Sequence, residues 1–198
     1  MTSDEATGGQ GAPPLRRRGE RMRQAVLAAT VDLLTSQGLA ATTVGSVARA
    51  AGVHETSVYR RWKTRENLIF DALATHTEQA LPTPDTGTVR EDLCELFTAL
   101  TRFLATPVGT TLLLLGTIRE EGALEEGRRA YWQARLECAE ILVQRGIDRG
   151  ELAAGTDPHL LVEAITGPLF ARVLLTGEPV EEALAPRLVD LVLNSSHA

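Results

Sequence analysis

Residues 42–68 read TTVGSVARAAGVHETSVYRRWKTRENL, and this stretch decides the fold. A threonine at 42 or 43 is placed to cap a short helix through Ala51, with Val44, Val47 and Ala48 facing inward. Gly52 ends that helix in the turn Ala51-Gly52-Val53. A second short helix, about Glu55 to Trp62, carries Val58 and Trp62 at i, i+4. Thr64 then caps a longer helix whose inner face is Leu68, Ile69, Ala72 and Leu73. Two short helices joined by a glycine-containing turn are a helix-turn-helix. Such a unit lays its second helix in the major groove of DNA.

Charge supports that reading once it is resolved along the chain. The 198 residues carry a net charge of −6, which taken whole argues against a nucleic-acid binder. Residues 16–65, however, hold nine Arg and one Lys against three acids, a net of +7. Residues 66–198 sum to −11. Arg60, Arg61, Lys63 and Arg65 follow the second short helix, and Arg16, Arg17, Arg18, Arg21 and Arg23 open the helix ahead of it. Phosphate neutralisation supplies most sequence-independent affinity for DNA, so a basic 50-residue block suits one end of the chain to an anionic partner.

Outward from the motif, every segment reads helical. Met22, Val26, Ala29, Thr30, Leu33 and Leu34 make an amphipathic stripe over Gly19 to Gln37, stopped at Gly38. Residues 1–15 are Gly- and Pro-rich and read as a flexible arm; Pro82 to Gly87 reads as a linker. Leu93, Leu96, Phe97, Leu100 and Leu104 form one helix face ending near Pro107. Leu112–Leu115 with Ile118 fits a buried strand by periodicity alone, although no segment offers it a partner strand. Glu125 to Arg149 reads as a long helix with two apolar stripes, Ala134-Cys138-Ile141 and Leu136-Val143-Ile147. Asp157-Pro158 opens a helix running to Leu175, and a last helix starts at Glu181. The expected fold is all-α with about nine helices. It divides into the arm (1–15), a helix-turn-helix domain (16–65) and a C-terminal helical bundle (66–198).

Composition excludes other classes. Cys94 and Cys138 match neither a disulfide framework nor a zinc spacing and read as reduced core thiols. No run approaches the roughly 18 apolar residues of a membrane span, so no membrane association is expected. The four His are scattered, and no H-E-x-x-H, G-x-S-x-G or phosphate-binding Gly-rich loop occurs. The chain is therefore not expected to be an enzyme, nor to carry a metal or cofactor. A cytoplasmic location follows from the same features.

The same residues resemble a known family. Thr42-Thr43-Val44, Val47-Ala48, Ala51-Gly52-Val53, Ser57-Val58-Tyr59-Arg60 and Trp62-Lys63-Thr64-Arg65-Glu66-Asn67-Leu68 look like the N-terminal domain of TetR-family bacterial transcriptional regulators. The spacing holds without gaps from Val26 to Phe70. Asp157-Pro158, Gly167-Pro168-Leu169-Phe170 and Leu175-Thr176-Gly177-Glu178-Pro179 resemble one subtype of the family's C-terminal domain. The resemblance implies a ligand-responsive regulator, most readily a repressor released from a palindromic double-stranded DNA operator by a small-molecule effector. A helical regulator acting mainly through protein–protein contacts, with reduced DNA binding, is the second reading.

Residue by residue, the resemblance implies that Thr43 meets a phosphate at its helix start. His54, Glu55, Thr56 and Ser57 meet base edges and phosphates, Tyr59 hydrogen-bonds a phosphate, and Lys63 and Thr64 occupy another phosphate position. Arg60, Arg17 and Arg18 join the interface from the basic flanks; the Arg16–Arg18 run either reaches the DNA or is a solvated tail. Arg61 and Arg65 suit phosphates better than bases. Three positions depart from the family pattern. Gly45 stands where a longer polar residue is usual, and Trp62 replaces Phe. Glu55 is acidic in a basic surface, and either accepts from a cytosine amino group or points away.

For the bundle, the resemblance implies a ligand pocket and a homodimer seam. Pocket candidates are Phe97, Leu100, Phe103, Leu114, Tyr131, Trp132 and Arg135, with Arg102 beside them; each is otherwise core or surface. Seam candidates on the last two helices are Ala164, Gly167, Ala171, Leu174, Leu184, Leu188 and Leu191, unless these stripes only pack within one chain. Two-fold symmetry would set two recognition helices about 34–36 Å apart in successive major grooves.

Overall fold

Polar residues standing one position ahead of the helices set where several of them begin. In the computed structural model, which describes residues 14–118 and 122–195, the side chains of Thr43, Thr64, Thr88 and Thr106 each accept a hydrogen bond from a backbone N–H in the first turn. Asp157 accepts two, from His159 and Leu160. Each cap satisfies a donor that the helix itself leaves orphaned, worth about 1 kcal/mol.

The helices are α1 (Pro14–Ala41), α2 (Val44–Ala50), α3 (Glu55–Trp62), α4 (Arg65–Ala80), α5 (Val89–Leu104), α6 (Pro107–Thr117), α7 (Ala123–Asp148), α8 (Pro158–Ala171) and α9 (Leu184–Ser195). No strand occurs among the described residues. Helix α1 breaks at Gly38, whose φ of +79° and ψ of 178° lie in a region that glycine alone occupies without strain. This is the stop that the sequence places there. Of the arm expected over 1–15, residues 1–13 lie outside the described residues, and Pro14 and Leu15 already belong to α1. The side chain of Arg16 also lies outside them.

Leu112–Leu115 is helical, which removes the strand alternative. Beyond Ala171 the chain widens into a π-turn, Arg172–Thr176, closed by Gly177 at φ +69°. Pro168 lies inside α8, where it cannot donate to the carbonyl four residues back. One expectation needs correcting here. Pro158–Thr176 spans 19 residues at mean hydropathy 1.3 and is long and apolar enough to cross a membrane. Its Leu161, Val162, Ile165 and Leu169 are packed into the bundle.

Three apolar cores result. Val26, Val47, Val58, Trp62, Leu68 and Ala72 build the first, from α1 to α4. Leu34, Ile69, Leu73, Phe103, Leu112 and Tyr131 build the second, between α1, α4 and the middle helices. Leu93, Phe97, Leu142, Ile165, Leu169 and Val189 build the third, across α5, α7, α8 and α9. Helix α4 contributes to the first two. A domain cut between residues 65 and 66 falls at its first turn, although Leu68 and Ala72 complete the core of the helix-turn-helix.

The segment between α4 and α5 is pinned down at several points. Arg145 donates to the Pro84 carbonyl at 2.9 Å, and Val89 N–H donates to Glu151 at 2.7 Å. Asp92, fully buried, accepts from the backbone N–H and hydroxyl of Thr86 and from Arg149. Burial pushes the Asp92 carboxyl up, but the Thr86 hydrogen bonds and Arg149 outweigh that and hold it below the ordinary value. A carboxylate held low in the folded state stabilises above its unfolded pKa and loses that contribution as pH falls through the folded value. Asp92→Asn should therefore lose about 2 kcal/mol at neutral pH and show a flatter stability profile below about pH 4. Urea unfolding of both proteins across acid pH checks this; parallel acid limbs would refute it.

Candidate functional site

Helix α3 turns its apolar side inward and leaves its other side open. Val58 and Trp62 are 0% and 5% exposed, while Tyr59 is 51% exposed. Thr56, Tyr59, Arg60 and Lys63 fall at i, i+3, i+4 and i+7, and all four are exposed. His54 is the N-cap residue of α3 but its ring makes no cap bond. His54 and Glu55 are exposed and Ser57 is half-buried. Thr43 and Thr64, the caps of α2 and α4, are exposed and half-buried. Arg17 and Arg18 are exposed on the first turns of α1.

Arg65 and Arg61 have partners next to them in sequence. Arg65 pairs with Glu66 at 3.1 Å, and the Arg61 guanidinium lies 5.6 Å from the centre of the Trp62 ring.

The base of α3 is held by a residue that the sequence reading did not single out. Asp71 of α4 accepts from the Trp62 indole N–H at 2.7 Å and, through its other oxygen, from Arg23 of α1 at 2.8 Å. Asn67 donates to the Trp62 carbonyl at 3.0 Å. Tryptophan in place of phenylalanine thus adds a polar link between α3 and α4 while filling the same core position. Asp71 sits between buried Phe70 and Ala72 and has no local signature; its role shows only when three helices meet.

Lys63 makes the corner between α3 and α4. Its φ of 68° and ψ of −48°, with Thr64 N–H donating to the Trp62 carbonyl at 2.8 Å, form a tight γ-turn. It is the only non-glycine with positive φ among the described residues. Strain of this kind costs about 1–3 kcal/mol and tends to be kept where a side chain is needed.

The two departures from the family pattern on this face occupy each other's space. A Cβ at Gly45 would lie 2.9 Å from a Glu55 carboxylate oxygen. The Glu55 side chain therefore lies over Gly45 near the start of α2.

Behind the helix-turn-helix, α4 to α8 enclose a cavity of about 420 Å³. Phe97, Leu100, Phe103, Tyr131, Trp132 and Arg135 line it, together with Thr77, Leu112, Cys138, Glu163 and Phe170, among others. Tyr131 and Thr77 share a buried 2.7 Å hydrogen bond joining α7 to α4. Since the Thr77 hydroxyl also donates to the Leu73 carbonyl at 2.7 Å, the Tyr131 hydroxyl is the donor to Thr77. Burial pushes the Tyr131 phenol up to about 12, so it keeps its proton.

Three expected site residues need correction. Leu114 is 55% exposed and off the cavity wall; three neighbouring leucines cannot all turn inward with it on one helix. Arg102 is a solvent-side charge, paired with Glu182 at 2.6 Å. Leu188 is 8% exposed within the third core and is spent inside one chain. Leu174 and Leu184 are half-buried against that core. Ala164, Gly167 and Leu191 are exposed, and Ala171 is half-buried. Thr77, Cys138 and Phe170 escaped the sequence reading because a cavity wall has no period of its own.

Comparison with known proteins covers most of the chain. Residues 26–72 match the family described as bacterial regulatory proteins, tetR family. Residues 83–192 match the tetracyclin repressor-like C-terminal domain. The HTH-type transcriptional regulator AqdR of Rhodococcus erythropolis is 39% identical over 178 residues, covering 89% of this chain and 86% of that protein. The DNA-binding transcriptional repressor TetR of Mycobacteroides abscessus is 31% identical over 180 residues, covering 89% and 94%. Among solved structures, the TetR family transcription regulator SCO0332 superposes with a TM-score of 0.75 at 32% identity, covering 88% of this chain and 97% of that one.

Two substitutions probe the corner of α3. Trp62→Phe keeps the packing and removes the bond to Asp71, so thermal unfolding should report a loss of about 1 kcal/mol. Lys63→Gly relieves the turn, and its melting temperature should hold or rise while affinity for DNA falls. A destabilised Lys63→Gly protein would show that the turn is unstrained.

Proposed function

The chain belongs to the TetR family of DNA-binding transcriptional regulators, and we propose that it is a homodimeric repressor released from a palindromic operator by a small-molecule effector. The observation that carries this reading is the placement of α4. Its first turn holds α3 through Asn67 and Trp62, and its last turns carry Thr77 into the cavity wall. Ten residues separate Asn67 from Thr77, about 15 Å of helix. An effector that favours a different seating of Thr77 and Tyr131 would tilt α4 and move the recognition helices. Only the difference in effector affinity between the two arrangements drives release.

In this reading Thr43, Tyr59, Lys63, Thr64, Arg60, Arg17 and Arg18 meet phosphates, while His54, Thr56 and Ser57 reach base edges. Glu55, turned toward Gly45, trims the positive field. The second copy docks on α8 and α9. Leu160 and Leu175 are 61% and 82% exposed, flanking Ala164, Gly167 and Ala171 on one side of the α8 stretch. Leu191 is 67% exposed on α9. Small residues between exposed leucines suit close approach of two equivalent helices. A regulator of this kind works in the cytoplasm with its DNA.

Purified protein should shift DNA from upstream of its own gene at low salt, with affinity falling steeply as salt rises. Tyr59→Phe should weaken every site by a similar factor, about tenfold. His54→Ala and Thr56→Ala should change the ranking of operator variants instead. In vitro transcription settles the sign: protein that raises transcript from the bound promoter would overturn the repressor reading, and equal effects of all three substitutions on every sequence would overturn the base-reading assignment.

A further inference from the structure

The cavity has one feature that an apolar core does not need. Phe97, Leu100, Trp132, Leu136 and Phe170 make most of its wall apolar, yet Arg135 of α7 stands in that wall with its side chain only 18% exposed. Its Nε is buried and has no hydrogen-bond partner. Its Nη2 lies 3.8 Å from both Cys138 Sγ and Glu78 Oε1; the second distance is too long for an N–H···O bond. Glu78 is itself 64% exposed and screened by water.

Three other polar groups of the wall are already occupied. The Tyr131 hydroxyl is spent on Thr77, the Thr166 hydroxyl donates to the Val162 carbonyl at 3.0 Å, and the Glu163 carboxylate lies 3.2 Å from His159. A part-exposed guanidinium at an apolar cavity wall, with its Nε buried and unpartnered, calls for an anionic acceptor.

We propose that the cavity binds an apolar monocarboxylate of about two rings, with its carboxylate on Arg135 and its body among Phe97, Trp132 and Phe170. The proposal rests on the cavity being the effector site of the regulator described above, and it names the chemical class that site takes. Arg135 is the one cation lining the cavity among the described residues. A phosphate or dicarboxylate would ask for several donors, and a hydrocarbon would leave Nε as it is. A volume of about 420 Å³ lies within the range of pockets for small organic ligands, roughly 300–1,000 Å³.

Calorimetric titration of the full-length protein with naphthoate, naphthamide and ethylnaphthalene separates charge, acceptor and apolar body. Naphthoate should bind at least about tenfold tighter than either neutral probe. R135Q should erase that preference, and E78Q, on the solvent side, should enlarge it by removing the competing carboxylate. Equal binding of naphthoate and ethylnaphthalene, a preference that survives in R135Q, or no binding of any probe would overturn the proposal. If circular dichroism shows R135Q unfolded, E78Q decides: tighter naphthoate binding supports the carboxylate site and unchanged binding overturns it. Operator binding is followed in parallel. Naphthoate that binds through Arg135 yet leaves the operator shift unchanged supports the ligand class and overturns the effector reading.

Discussion

Helix α4 is packed on two sides by different cores, and the rest of the molecule depends on that double commitment. Leu68 and Ala72 close the core beneath the recognition helix. Ile69, Phe70 and Leu73, on the adjoining side, are buried against α1 and the middle helices. Close-packed interiors do not deform continuously, so a helix wedged between two of them shifts as a unit or stays put. Polar anchors fix both ends of this one: Asp71 with Trp62 and Arg23 near the DNA side, and Thr77 with Tyr131 at the cavity. The buried Thr77–Tyr131 link in particular favours one arrangement, because another would leave a donor or acceptor unsatisfied. A rigid strut between a DNA-reading surface and a hollow core is what a ligand-controlled switch requires.

Formal charge overstates the field that the DNA face presents. The +7 over residues 16–65 counts Arg23, which is committed to Asp71. It also counts Arg65, which is paired with Glu66. Exposed Arg17, Arg18, Arg21, Arg49, Arg60, Arg61 and Lys63 carry what is available to phosphates. Arg23 braces α1 against α4 through Asp71, whereas Arg61 and Arg65 find their partners within their own helices. The −11 on residues 66–198 disfavours approach of the bundle to the DNA backbone, leaving one end of the molecule suited to dock.

Much of this was legible in the sequence, and the reasons differ by region. Thr43, Gly52, Val58 and Thr64 placed α2, α3 and the start of α4 because capping and i, i+4 patterning act locally. Phe97, Phe103, Tyr131, Trp132 and Arg135, expected at a pocket, lie on the cavity wall, whereas Arg102, expected beside them, does not. Leu114 and Leu188 misled because leucine alone does not say which side of a helix faces what. In α6 the leucines run consecutively, so one must face outward. In α9, Leu188 reads equally as seam or core until the crossing of α5 is known. Asp71 and Thr77 were invisible for a deeper reason. Each is an ordinary helical residue whose function comes from a partner 9 to 54 positions away.

The cavity and the strained corner at Lys63 show the same trade-off. Filling the space among Leu100, Leu112, Leu136 and Phe170 with larger side chains would strengthen packing, since apolar voids cost stability in proportion to their size. Replacing Lys63 by glycine would relieve the γ-turn. Under the function proposed above, both changes would remove what the response uses: a cavity whose occupation would alter the packing of α4, and a cation held at the corner where α4 meets α3. The caps at Thr43, Thr88, Thr106 and Asp157 and the Asp92 network lie away from the Lys63 corner. Stability is thus concentrated in helix starts and in the segment joining α4 to α5, and the two weak points lie at opposite ends of the one helix that connects them.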